Sequence, residues 1–301
     1  MPVKLIAVDM DGTFLNSEKK YDKTRFLQQY SQLQQRGIHF VAASGNPLYT
    51  LKAYFPEIAN DMAFVAENGA YVVDRAQTLN YDHFSPEILQ QILQDLIPDY
   101  AQNLILCAKD CAYIQHNVSE KTQQKLNIYF KQLRQVDDLL QVHDQICKVT
   151  LTTTQDNNQQ ILDDVSEKPY IQHTAAKMVS SGFSFIDLII PNRHKAYGLQ
   201  FLQQKWGIDH QEVLAIGDNY NDQEMIEMAG YGFAMANAVP KLKQTAQYFA
   251  PTNEQQGVLE VIDAVLQNSS LQRYKKTEQF LQKNGSSFWN DPLAEFKSQL
   301  I

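Results

Sequence analysis

Two aspartates one residue apart, Asp9 and Asp11, stand directly after a short apolar run, inside the segment Asp9-Met-Asp-Gly-Thr13. Carboxylates at this spacing can share a group transfer. One attacks as nucleophile and lends an oxygen to a metal; the other gives a proton to the departing oxygen and then takes one from water. A second acidic cluster, Gly217-Asp-Asn-Tyr-Asn-Asp222, lies far along the chain. Asp9, Asp218 and a backbone carbonyl, completed by waters and a phosphate oxygen, would make the all-oxygen octahedral shell that Mg²⁺ prefers. Ser44-Gly45 offers a hydroxyl and a backbone N–H to phosphoryl oxygens at the start of a helix. Lys195 offers a cation shortly before the second acidic cluster. Each signal has a plainer reading: an Asp after a strand caps the next helix, a Ser-Gly pair makes a turn, and a lone Lys is solvated. The capping reading suits one of Asp218 and Asp222, and fits poorly for both beside a matching acidic pair.

The elements that must position these groups can be read from periodicity. Lys4 to Val8 is an apolar run without alternation, the pattern of a parallel strand buried on both faces. A helix follows, with Asp22 as its cap, Phe26, Tyr30 and Leu33 on one face, and Gly37 at its end. Ile38 to Ala43 is a second buried strand, and Pro47 opens a short helix. Ala63 to Ala66 and Ala70 to Asp74 form a hairpin around Glu67-Asn-Gly69. This strand–helix rhythm predicts a doubly wound parallel-sheet (Rossmann-like) core. It is interrupted after Asp82 by mixed α+β patterning, with a helix over Pro86 to Leu96, strands on either side of Lys109-Asp110, a helix over Ser119 to Leu133, and a strand over Lys148 to Thr154. It returns with a helix over Ala196 to Trp206 and the buried strand Val213 to Ile216. The expected organisation is a core of residues 1–82 and 188–268, an inserted α+β cap of 83–187, and a C-terminal extension of 269–301. Asp9, Asp11, Ser44 and Asp218 all follow buried strands, and in an open parallel sheet ligands bind outside the carboxyl ends of the strands.

Composition narrows the function classes. The 301 residues are 44% hydrophobic and 20% charged, with a formal net charge of -8. That balance is globular, and it argues against nucleic acid or an anionic membrane as the main partner. No segment has the length of a signal peptide or a membrane span. Three cysteines without an export signal read as reduced thiols of a cytoplasmic protein, and Cys107 and Cys111 lack the partners of a zinc site. His116, His143 and His173 read as ordinary polar residues. A homo-oligomer is possible but nothing indicates it.

Taken together the motifs resemble those of the haloacid dehalogenase superfamily, in its Cof-type sugar-phosphatase branch with a large α/β cap. The resemblance rests on Asp9-Met-Asp-Gly-Thr13, Ala43-Ser-Gly-Asn46, Val65-Ala-Glu-Asn-Gly69, Lys195, Gly217 to Asp222, Phe233-Ala-Met-Ala-Asn237 and Thr252 to Gly257, in the family's order. It implies that Asp9 is the nucleophile and Asp11 the general acid/base. It implies Mg²⁺ held by Asp9, the Asp11 carbonyl and Asp218, with Asp222 supporting the metal from behind. Ser44, Gly45, Lys195 and Asn221 would bind the phosphoryl group. Asn46 stands where the family more often has Arg, and Ala196 where it has Gly, which bears on substrate preference more than on chemistry. The expected activity is Mg²⁺-dependent hydrolysis of small phosphomonoesters, sugar phosphates foremost, through an aspartyl-phosphate on Asp9, with the cap closing over the crevice. The alternatives are a sugar phosphomutase or phosphotransferase on the same fold, and a non-catalytic sensor of phosphorylated ligands. Asp11 argues against the sensor, since an acid/base beside the nucleophile shortens the life of an aspartyl-phosphate.

Overall fold

The computed structural model describes residues 3–116, 118–154, 156–180 and 185–275. Its strands in chain order are β1 (Leu5–Val8), β2 (His39–Ala43), β3 (Ala63–Ala66), β4 (Tyr71–Asp74), β5 (Gln77–Tyr81), β6 (Leu104–Ala108) and β7 (Ala112–Gln115). They continue as β8 (Leu133–Val136), β9 (Ile146–Thr152), β10 (Lys177–Ser180), β11 (Phe185–Ile189), β12 (Val213–Gly217), β13 (Tyr231–Met235) and β14 (Tyr248–Ala250). The chain divides into two compact units, one formed by residues up to Ser44 together with those from Leu199 onward, the other by Gly45–Gly198.

In the first unit the strands lie in the order β14-β13-β12-β1-β2, every neighbouring pair parallel. All four residues of β1 are fully buried, which is why that strand carries no polar alternation. The helix Lys23–Gln35 begins at Asp22, whose carboxylate accepts the Arg25 N–H, and buries Phe26, Gln29, Tyr30 and Leu33. Its buried Gln29 amide donates to the Leu259 carbonyl at 2.9 Å, and Arg25 pairs with Glu260 and Asp263. These contacts seat it against the closing helix Gly257–Leu266.

The second unit holds the antiparallel meander β3-β4-β5 and a sheet in the order β10-β11-β9-β6-β7-β8. Its neighbours are antiparallel except β7 and β8, which run parallel. The helix Pro86–Tyr100 is capped by Ser85 with Pro86 in its first turn. This unit contains all of segment 83–187, and with it β3–β5 and the first turn of the helix Lys195–Trp206.

One helix is shorter than its periodicity predicts. It runs Glu120–Tyr129, and Leu133–Val136 instead forms strand β8 beside β7. Phe130 is buried and ends the helix, and the remaining residues gain a backbone ladder that an isolated helical turn would lack. Cys107, Cys111 and Cys147 are buried free thiols. Among the described residues no helix is long and apolar enough to cross a membrane. Residues 181–183 of the turn at Ser180 to Phe183 lie outside the described residues, as do Phe288, Trp289 and Phe296 of the C-terminal extension.

Candidate active site

The register of three parallel strands brings the acidic motifs to one edge. Val8 of β1 stands opposite Ala42 of β2 and Ile216 of β12, so Asp9, Ser44 and Asp218 leave the sheet side by side. The Asp9 N–H still donates to the Ile216 carbonyl at 3.0 Å, extending the ladder to the first catalytic candidate. The chain then folds back. Phe14 N–H donates to the Asp9 carbonyl and Leu15 N–H to the Met10 carbonyl, so Asp9 to Leu15 forms a compact loop.

Gly12 makes that loop possible. Its φ of +83° is left-handed, and a Cβ there would lie 2.5 Å from Asp218 Oδ2. Only hydrogen fits between the loop and the Asp218 carboxylate. Thr13, itself buried, donates its hydroxyl to Asp218 Oδ1 at 2.9 Å, so the first motif directly orients the second.

Asp9 is 5% exposed and Asp222 fully buried. One carboxylate oxygen from each of Asp9, Asp218 and Asp222 lies within 4.8 Å of the others. Unit charges 4 Å apart repel by about 4 kcal/mol at an effective dielectric constant of 20, and a divalent cation among them would turn repulsion into attraction. The donor set fits Mg²⁺. It is all oxygen, the hard donor type that Mg²⁺ prefers, and the three carboxylates are close enough for Asp9 and Asp218 to share one ion. Asp222 also has a second task. Its Oδ2 accepts the N–H groups of Asp218 and Asn219 at 2.9 and 3.0 Å, within a capping box begun by Asn219. The capping reading of Asp222 is thus what its contacts show: Asp222 holds the turn that presents Asp218.

Asp11 is partly exposed and its carboxylate contacts Lys19 Nζ. Asn221 lies in the helical turn Tyr220–Asp222, half-buried. Ser44 is buried at the end of β2. Asp9, Asp11, Ser44, Asp218, Asn221 and Asp222 thus belong to the first unit. Gly45 and Lys195 belong to the second, where Lys195 opens the helix Lys195–Trp206 as a fully buried side chain. A lysine removed from water so completely is no solvated surface residue.

Three contributors lack a role in the sequence reading. Thr13 acts on Asp218, as described. Asn237 donates its side-chain amide to the Gly12 carbonyl at 2.8 Å, and Asn253 reaches the Leu15 carbonyl at 3.0 Å while its N–H donates to Asn237 Oδ1. Together they brace the Asp9–Leu15 loop. The available signal was position, because Asn237 follows β13 as Asp9 follows β1.

Comparison with known proteins identifies the family. The family model for haloacid dehalogenase-like hydrolases matches residues 6–262. The 5-amino-6-(5-phospho-D-ribitylamino)uracil phosphatase YbjI of Escherichia coli is 40% identical over 272 residues, covering 90% of this chain and 98% of that protein. The Bacillus subtilis phosphatase YitU, named for the same substrate, is 24% identical over 272 residues, covering 84% of this chain and 94% of its own. Among solved structures, SMU.1108c from Streptococcus mutans superposes with a TM-score of 0.81 at 36% identity, covering 88% of this chain and 99% of that one. The chain belongs to the haloacid dehalogenase-like hydrolases, as one of their phosphoric monoester hydrolases.

Proposed function

We propose that this enzyme is a Mg²⁺-dependent phosphatase of small phosphorylated sugars and sugar alcohols, acting through an aspartyl-phosphate on Asp9. The observation that carries the reading is the meeting of Asp9, Asp218 and Asp222 at one strand edge, with a second carboxylate, Asp11, two residues beyond Asp9. Asp9 is positioned to attack phosphorus as the bond to the leaving oxygen breaks, and Asp11 supplies the proton that oxygen needs. Asp11 then accepts a proton from the water that attacks phosphorus. The Asp9–phosphorus bond breaks, leaving inorganic phosphate and a free carboxylate. Asp9 and Asp218, with the Asp11 carbonyl, would hold the Mg²⁺, and Asp222 would keep Asp218 in place. The ion would supply positive charge to the phosphoryl oxygens as negative charge moves onto the leaving group. Ser44, Gly45, Lys195 and Asn221 are the proposed phosphoryl-binding groups, and segment 83–187 the part that selects the leaving group.

The 40% identical E. coli relative points to the substrate to try first, 5-amino-6-(5-phospho-D-ribitylamino)uracil, a phosphorylated sugar alcohol on a pyrimidine. The test is steady-state phosphate release from that compound beside hexose, pentose and nucleoside phosphates, with Mg²⁺, with EDTA, and in the Asp9→Asn variant. Turnover on the sugar-alcohol or sugar phosphates should vanish with EDTA and fall at least about 10⁴-fold in Asp9→Asn. Release that survives Asp9→Asn would exclude Asp9 as nucleophile. A folded, Mg²⁺-binding protein that releases phosphate from none of these compounds would overturn the substrate class.

A further inference from the structure

A buried ion pair in the second unit has no part in the chemistry described above. Lys148 lies on β9, where Ile146, Lys148, Thr150 and Thr152 share one face. Its side chain is 3% exposed, an unusual place for an ammonium group. Lys148 Nζ is 2.7 Å from Glu67 Oε2, whose side chain is 2% exposed, and 3.9 Å from Asp187 Oδ2. Asp187 in turn accepts the Thr150 hydroxyl at 2.6 Å. Burial alone would lower the lysine's pKa, but Asp187 and Glu67 hold it well above the ordinary value. The ammonium is therefore charged.

Both members of the pair also grip one short segment. Lys148 Nζ donates to the Gly45 carbonyl at 2.7 Å, and the Glu67 N–H donates to the Asn46 carbonyl at 3.2 Å. Two successive carbonyls are thus fixed by two residues that also bind each other. Because a peptide unit is planar and trans, a fixed Gly45 carbonyl fixes the Asn46 N–H on the opposite side. Asn68 closes the segment from the side, its amide about 3 Å from where a Cβ on Gly45 would sit.

The turn that supplies this grip is strained. Glu67, Asn68 and Gly69 have φ of +51°, +54° and +103° in succession, a left-handed run that side-chain-bearing residues avoid. On its other side the turn abuts the residue before Lys195: a Cβ on Gly69 would lie 2.2 Å from the His194 carbonyl. The same three residues therefore contact the Gly45 segment and the start of the Lys195 helix.

We propose that Lys148 and Glu67 are positioning residues for phosphoryl binding, and that the buried pair sets the orientation of the Gly45–Asn46 peptide on which that binding depends. This rests on the reading that Ser44-Gly45 binds the phosphoryl group. It also gives the inserted sheet, through β9, a direct hold on the Gly45–Asn46 peptide.

The test uses the full-length protein and inorganic phosphate as probe. Removing Lys148 alone leaves Glu67 buried without its partner, which is strongly destabilising. The main variant is therefore the double substitution Lys148→Met with Glu67→Gln, which removes both members of the close pair and leaves Asp187 the hydrogen bond from the Thr150 hydroxyl. Measured are inhibition by inorganic phosphate, KM and kcat on the best substrate, half-saturation by Mg²⁺, and the melting temperature. Displaced phosphoryl contacts should raise the phosphate inhibition constant and KM together by about tenfold or more, with Mg²⁺ half-saturation unchanged. A purely structural role would lower the melting temperature and leave the phosphate inhibition constant at its wild-type value, overturning the proposal. Ser44→Ala, run in parallel, separates the two layers. If Ser44→Ala weakens phosphate and the double variant does not, only the positioning role falls. If Ser44→Ala leaves phosphate binding intact, the phosphoryl-binding reading falls and the positioning role with it.

Discussion

Replacing Gly12 with alanine tests how closely the two acidic motifs are fitted. The new methyl group would start 2.5 Å from Asp218 Oδ2 and 2.9 Å from its Cγ. Ordinary contact begins at 3.4 Å, so the carboxylate must retreat by about 0.9 Å or the loop must open by as much. Either movement separates Asp218 from Asp9 or pulls against the Thr13 hydrogen bond. A left-handed φ on alanine adds about 1–2 kcal/mol of strain, equivalent to a melting-temperature loss of several degrees for a chain of this size. A displacement near 1 Å at a reacting centre costs about a hundredfold in rate. The expected result for Gly12→Ala is a folded protein melting a few degrees lower, with kcat down about a hundredfold and Mg²⁺ half-saturation shifted upward. The assays are phosphate release across a Mg²⁺ titration and a thermal melt. If the melting temperature falls while kcat and Mg²⁺ half-saturation stay at wild-type values, the carboxylate beside Gly12 does not hold the metal, and the reasoning fails.

Two further substitutions follow from the same geometry. Asp222→Ala would leave the part-buried N–H groups of Asp218 and Asn219 without their acceptor. At about 1–3 kcal/mol for each orphaned group it should destabilise strongly in denaturant melts, whereas Asp222→Asn, which keeps an acceptor oxygen, should recover much of the loss. Thr13→Val removes the 2.9 Å bond to Asp218 with little change in volume. A hydrogen bond to a charged group is worth about 1.5–3 kcal/mol, so Mg²⁺ half-saturation should rise about tenfold or more. An unchanged Mg²⁺ titration would mean that Thr13 does not orient a ligand.

How much was legible differs from element to element. Leu5–Val8 reads as a buried strand because burial on both faces leaves an uninterrupted apolar run, a signature contained in the residues themselves. The helix from Lys23 was equally plain, since Asp22 and the spacing of Phe26, Tyr30 and Leu33 are local signals. Leu133–Val136 was hidden because an edge strand of mixed polarity carries little pattern, and its pairing partner β7 lies well before it in the chain. Gln77–Tyr81 has the same weakness, being half-exposed and partly polar.

The site shows the same division more sharply. Residue type and position after a buried strand sufficed to nominate Asp9, Asp11, Ser44 and Asp218, because strand order in a parallel sheet gathers such ends at one edge. The dual task of Asp222, the Thr13 bond to Asp218 and the support from Asn237 and Asn253 depend on which atoms meet across loops. The Lys148–Glu67 pair is the extreme case: a lysine in a strand and a glutamate in a turn, each unremarkable alone, joined inside the protein with side chains only 3% and 2% exposed. Alternation and capping are properties of neighbours along the chain, so the sequence by itself determined the buried strands, the capped helices and the acidic ends of the site. An ion pair or a hydrogen bond between distant segments depends on packing, register and the exclusion of water, and only the tertiary structure decided those.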